Sequence, residues 1–199
     1  MSINKLNTEI RQEQIAQAAM NLINTAGMKG LSIARVAKRV GLVPSAIYRH
    51  FESKDQVIDA VLDVIFDRLM DNVSKACEAT IDPFDRLKLI LTRHIRLILD
   101  NHAIPRIIFS EEVYGGNMDR KAKLNRKIGR YLAEISNIIQ LGQDENYIRK
   151  DVDADTVSVM FLGLIQPAAI LWHISNEAFD VAKHGEKAWK IFKESLETR

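Results

Sequence analysis

The 199-residue sequence predicts an all-α fold of about nine helices. Three observations predict it. Apolar residues recur at spacings of three and four along the chain, while alternating runs bounded by turn residues, the mark of half-buried strands, are absent. Gly27, Gly30, Gly41 and Gly142 fall where periodic stretches end. Ser32, Ser53 and Asp82-Pro83 fall where the next stretches begin.

The first helix runs from about Thr8 with a stripe of Ile15, Ala18, Ala19, Leu22 and Ile23, and Gly27 and Gly30 close it. Ser32 caps a short second helix whose buried edge is Ile33, Val36, Ala37 and Val40, ended by Gly41. A third helix covers roughly residues 44–50. Ser53-x-x-Gln56 is a capping box that opens a fourth helix, running to about Cys77 on Val57, Ile58, Val61, Leu62, Ile65, Phe66 and Leu69. Asp82-Pro83 starts the next, with Leu87, Ile90, Leu91, Ile95, Ile98 and Leu99. After a break at His102–Pro105 come the short piece Ile107–Phe109 and a loop, YGGN, at 114–117. A long amphipathic helix over about 119–141, an apolar helix over 154–175 and a last helix near 184–197 complete the chain. The first three helices form a compact unit with short connections, and the rest reads as a helical bundle. The expected domains are therefore residues 1–53 and 54–199.

Composition excludes several classes. Hydrophobic residues make up 47% and charged residues 27%, with no low-complexity tract, which is not the balance of a disordered chain. Cys77 is the one cysteine, so no intrachain disulfide framework exists. The opening MSINKLNTEI has no apolar run of the kind a secretory signal carries. VSVMFLGLIQPAAILWHI at 157–174 is interrupted by Ser158, Gln166 and Pro167, and its unbroken apolar runs fall short of the roughly 20 residues a bilayer needs. A soluble, cytoplasmic protein with no membrane partner is expected. His94, His102, His173 and His184 lack ligand spacing, and no G-x-S-x-G, Walker loop or G-x-G-x-x-G occurs, so no catalytic residue, metal or cofactor is expected. Asp55, Asp59, Asp63, Asp67 and Asp71 recur every fourth residue and read as a solvated helix face rather than a metal site.

Charge is uneven. Residues 1–54 carry a net +5 and the remainder −3. A basic head on a mildly acidic body suits nucleic-acid binding, although a few charges decide the figure and chance gives it as readily.

The second and third helices, joined by a three- or four-residue turn at Gly41, have the layout of a helix-turn-helix. With about 100° of turn per residue, Ile47 and Phe51 share one apolar edge, while Pro44, Ser45, Tyr48 and Arg49 face away from it. That outer face has small residues, one aromatic and one planar bidentate donor, which suits a major groove. Lys54 stands in the first turn of the fourth helix, where a cation opposes the macrodipole. A DNA phosphate would neutralise it there, and a solvated lysine beside Asp55 is the plainer reading.

The stretch GLSIARVAKRVGLVPSAIYRHFESK at 30–54 resembles the DNA-binding head of the tetracycline-repressor (TetR) family of transcriptional regulators, with tyrosine, histidine-phenylalanine and lysine at fixed offsets. Beyond residue 70 the resemblance is one of layout only. It implies a repressor released from a double-stranded, pseudo-palindromic operator by a small-molecule effector. Ser32, Tyr48, His50 and Lys54 match its phosphate contacts, and Ala34, Pro44, Ser45, Ala46 and Arg49 match positions that approach base edges. For His50 a hydrogen-bonded histidine at the bundle edge is the alternative. Val43 departs from the family in lacking a hydroxyl where a cap is frequent, and Ala34 replaces a longer residue, which shifts base readout towards Arg49.

The apolar helix over 154–175 has no polar face and needs cover on both sides, so a homodimer is expected. Gly163, Ala168, Leu171, Trp172, Trp189 and Phe192 are the expected interface, and the resemblance implies a four-helix bundle of the last two helices. Phe66, Met70, Phe109, Tyr114, Met160 and Gln166 are the expected effector pocket, against plain core packing for any one of them. Pro167 frees a backbone carbonyl and kinks the helix, and a buried Gln166 needs a partner. A regulator without an effector, an activator, and a helical binding protein or enzyme with a non-functional head are the alternatives.

Overall fold

The computed structural model describes residues 3–115 and 117–198, with side chains from Thr8 onward apart from Tyr114. Among these residues are eleven α-helical segments and no strand. In order they are α1 (Ile3–Ala26), α2 (Ile33–Arg39), α3 (Pro44–Ile47), α4 (Lys54–Ala79), α5 (Pro83–Asp100) and α6 (Ala103–Ile108). Then follow α7 (Glu111–Tyr114), α8 (Met118–Asp144), α9 (Ala154–Gly163), α10 (Gln166–Ile174) and α11 (Val181–Leu196).

Side chains punctuate these helices as the sequence demands. Ser53 Oγ accepts from Gln56 N at 3.2 Å, and Gln56 Oε1 reaches back to accept from Glu52 N at 2.8 Å. Asp82 caps α5, Asn117 caps α8, Asp153 caps α9 and Asp180 caps α11, each accepting a backbone N–H three residues on at 2.8–2.9 Å.

The chain packs as two compact units that are not consecutive stretches: the residues up to Arg68 with Asn101–Leu124, and Leu69–Asp100 with the residues from Asn125 on. In the first unit α1 lies against α2 and α6, and α2 against α3. Ile15, Ala19, Ile23, Val36, Ala37, Ile47, Val57 and Val61 are buried there with Ala103 and Ile107. Arg106 Nη1 donates to Asn24 O at 2.6 Å and ties α6 to the end of α1.

The second unit packs α11 on α5, so closely that a Cβ at Gly185 would collide with Ile95. Trp189 meets Phe84 edge-on at 6.4 Å, and Phe192 lies 5.8 Å from Phe161. Of the residues expected at an interface, Ala168, Trp172, Trp189 and Phe192 are buried within their own unit.

The apolar helix expected over 154–175 is two helices, α9 and α10. Pro167 has no N–H to donate to Gly163, so the ladder fails there, and Leu164 and Ile165 donate three residues back instead, both at 3.1 Å. One side of the pair is buried through Val157, Phe161, Ala169 and Trp172. The other side leaves Val159, Met160, Ile170, Leu171 and Ile174 exposed, with Gly163 among them.

Candidate nucleic-acid interface

The turn between α2 and α3 is built by backbone. Gly41 takes φ 70°, Leu42 N donates to Ala37 O at 2.9 Å and Gly41 N to Lys38 O at 3.4 Å, the paired bonds of a Schellman motif. No atom lies within 4 Å of where a Gly41 Cβ would stand, so the glycine answers to its left-handed backbone and not to crowding.

α3 is one turn long and is held by its anchors. Ile47 and Phe51 are buried, and Phe51 N donates to Ile47 O at 3.0 Å, extending the helical path beyond Ile47. Gln12 of α1 donates to the carbonyl of His50 at 3.2 Å and secures the far end. At the near end Val43 occupies the cap position without a side-chain bond, and Pro44 sits at the first turn, where its missing N–H costs nothing. With the apolar edge buried, Pro44, Ser45 and Arg49 are exposed and Tyr48 is 53% exposed. Ala34 on α2 is exposed as well, while Ala46 is half-buried.

Ser32 Oγ accepts from Arg35 N at 3.3 Å and so caps α2, leaving its hydroxyl hydrogen to donate outward. Arg35 donates to Gly30 O at 2.9 Å, a structural use of its charge. Lys38 and Arg39 end α2, where cations suit the helix C-terminus. His50 Nδ1 is buried with no hydrogen-bond partner. With Nδ1 buried, Nε2 is the ring atom through which His50 can reach a phosphate.

Lys54 opens α4, and the acid beside it is already engaged: Asp55 Oδ1 accepts from Arg120 Nη2 at 2.8 Å. Arg120 also donates to Asp59 Oδ1 at 2.6 Å. The first two aspartates of the ladder are therefore arginine ligands and not part of a plain solvated face. Nothing in the sequence pointed to Arg120, which lies 61 and 65 residues from these partners.

Residues 15–61 match the family described as bacterial regulatory proteins, tetR family, and residues 63–195 match the YsiA-like protein, C-terminal region. The chain belongs to the tetR family. Similar proteins include the fatty acid metabolism regulator protein of Bacillus subtilis, 20% identical over 84% of this chain and 86% of that protein. Among solved structures, a TetR transcription regulator from Haloarcula marismortui has a TM-score of 0.82 at 21% identity, covering 96% of this chain and 100% of that one. The regulator FadR from Bacillus subtilis, solved in complex with stearoyl-CoA, has a TM-score of 0.76 at 19% identity, covering 90% and 96%. A TetR-family chain is a DNA-binding transcriptional regulator.

In the second unit His94 and Tyr131 are buried side by side. His94 Nδ1 lies 3.2 Å from Tyr131 Oη, and the rings meet edge-on at 5.7 Å. Burial pushes the His94 imidazole down to about 4 and raises the Tyr131 phenol. A groove of about 370 Å³ between α5 and α11 is lined by Leu91, Ile95 and Trp189, with Lys88 and Glu186. None of the expected pocket residues lines it. Phe66 is buried, Met70 half-buried and Phe109 38% exposed. Met160, 53% exposed, and the exposed Gln166 face outward, which corrects the expectation that they point into the core. Pro167 breaks the helix and both residues sit on its outer side. The side chain of Tyr114 lies outside the described residues.

Proposed function

We propose that this chain is a homodimeric repressor that grips a pseudo-palindromic operator and is released by a small molecule of the fatty acyl-CoA class. Residues 1–53 form the DNA-binding domain and residues 54–199 the effector and dimerisation domain. The observation that carries the reading is the outer face of α3, where Arg49 and Tyr48 stand exposed over the buried anchors Ile47 and Phe51. Arg49 reads a guanine edge, and Ala34, Pro44, Ser45 and Ala46 allow close approach of the backbone to the groove. Ser32, Tyr48, His50 and Lys54 hold phosphates, which positions the head without reading sequence.

Dimerisation is supported by the uncovered apolar side of α9 and α10, where Val159, Ile170, Leu171 and Ile174 are exposed together, with Ile191 70% exposed on α11. A second copy of this face is self-complementary, as a two-fold interface requires. The effector class is supported by the likeness to FadR of Bacillus subtilis, whose structure holds stearoyl-CoA.

Selection of duplexes from a random pool by the full-length protein tests the reading. The enriched sequence is expected to be an inverted repeat with half-sites about one helical turn, roughly 34–36 Å, apart. Stearoyl-CoA is expected to weaken binding to it. A single half-site would refute the dimer, and unchanged binding with stearoyl-CoA would refute the effector class.

A further inference from the structure

The first two rungs of the aspartate ladder on α4 converge on one side chain. Arg120 is 2% exposed, and its guanidinium makes four hydrogen bonds. Nε donates to Asp59 Oδ1 at 2.6 Å and Nη1 to Glu112 O at 2.7 Å. Nη2 donates to both Asp55 Oδ1, at 2.8 Å, and Asp55 O, at 2.9 Å. Its own N–H is held by Asn117 Oδ1 at 2.9 Å, the cap of α8. Three elements of the first unit thus meet on one planar group: the first turn of α4, the carbonyl of Glu112 in α7 and the first turn of α8.

Stability alone does not account for an arginine here. Taking a guanidinium out of water costs several kcal/mol, and a well-packed apolar side chain often serves stability as well. Asp55 is 64% exposed, so its carboxylate stays in water if the arginine is removed, and Asp59, 20% exposed, keeps Lys123 Nζ 3.9 Å away. What the fork provides is geometry. Its donors are rigid and coplanar, and they are satisfied only when α4, α7 and α8 keep one arrangement.

That arrangement bears on Lys54. Asp55 is the next residue, and Arg120 takes both its side-chain and its backbone oxygen. Asp55 Oδ1 is thereby committed to Arg120 rather than to Lys54, and the backbone that carries the lysine is fixed.

We propose that Arg120 is a positioning residue for DNA binding: by clamping Asp55 and Asp59 it holds the first turn of α4 so that Lys54 meets a phosphate. The inference rests on the phosphate role given to Lys54 above. Arg120 itself, almost wholly buried, does not touch DNA.

The test is a double-mutant cycle on the full-length protein, with the duplex the wild type selects, titrated over a range of salt. Lys54→Ala is expected to lower the slope of log affinity against log salt by about 1.8 in the wild-type background, one phosphate contact from each of the two heads. In the Arg120→Met background the same change is expected to move the slope by less than half as much. Arg120→Met alone is expected to weaken binding by about tenfold. Arg120→Lys keeps the charge and loses the fork, so it is expected to behave like Arg120→Met. Rescue by lysine would overturn the geometric claim. An unchanged slope for Lys54→Ala in the wild type overturns its phosphate role, whereas an equal fall in both backgrounds overturns the Arg120 inference alone. Should Arg120→Met fail to fold by circular dichroism, Asp55→Asn with Asp59→Asn weakens the clamp from its solvated side and is read in the same cycle.

Discussion

His94 shows what burial does to a single residue. Its imidazole lies against Tyr131 with little water near it, and its protonated form is disfavoured down to about 4, from an ordinary value near 6.5. In the unfolded chain the same group takes up a proton below about 6.5. Stability contributed by the neutral ring is therefore complete above that value and is lost as pH falls from about 6.5 towards 4, by about 3 kcal/mol in all. The urea midpoint of the wild type is expected to fall between pH 7 and pH 5, and His94→Phe to show a much smaller fall. Equal falls in the two proteins would place the sensitivity elsewhere. Some residue roles were legible without coordinates. The split between Ile47 with Phe51 and Tyr48 with Arg49 follows from helical angle alone. The roles of His94 and Arg120 were not, because each depends on a partner at least 37 residues away that no local pattern marks.

Elements were legible where local chemistry decides them. Ser32, the Ser53–Gln56 box and Asp82-Pro83 marked helix starts, and Gly41 marked a turn whose backbone is left-handed. Gly41→Ala meets no atom, so its cost is the backbone strain alone, about 1–2 kcal/mol. Denaturation should register that loss, and Gly41→Asn should lose less, since Asn tolerates this region. Equal stability for alanine and glycine would contradict the Schellman turn. The helix over 154–175 was less legible. Apolar residues continue on both sides of Gln166-Pro167, so the pattern reads one kinked helix where the missing N–H makes two. The same uniformity hid which side faces the core: Met160 and Gln166 looked inward, and Trp172 looked outward. In an all-apolar segment the hydrophobic pattern holds no phase.

For the whole molecule, the all-α class and the DNA-binding head were readable from the chain, and the grouping of its parts was not. Residues 101–124 pack with the N-terminal unit although a stretch of 32 residues, Leu69–Asp100, separates them from it in sequence. Tertiary burial decides that grouping, and periodicity is silent on it. The central claim concerns how the molecule uses its head: α3 reads bases through Arg49 while its neighbours grip phosphates. Affinity for the selected duplex and for an unrelated one, measured against salt for wild type and Arg49→Ala, tests this most directly. The account predicts that Arg49→Ala loses about 1–3 kcal/mol per half-site on the selected duplex only, with the salt slope kept. Equal loss on both duplexes with a shallower slope, or no loss at all, would contradict it.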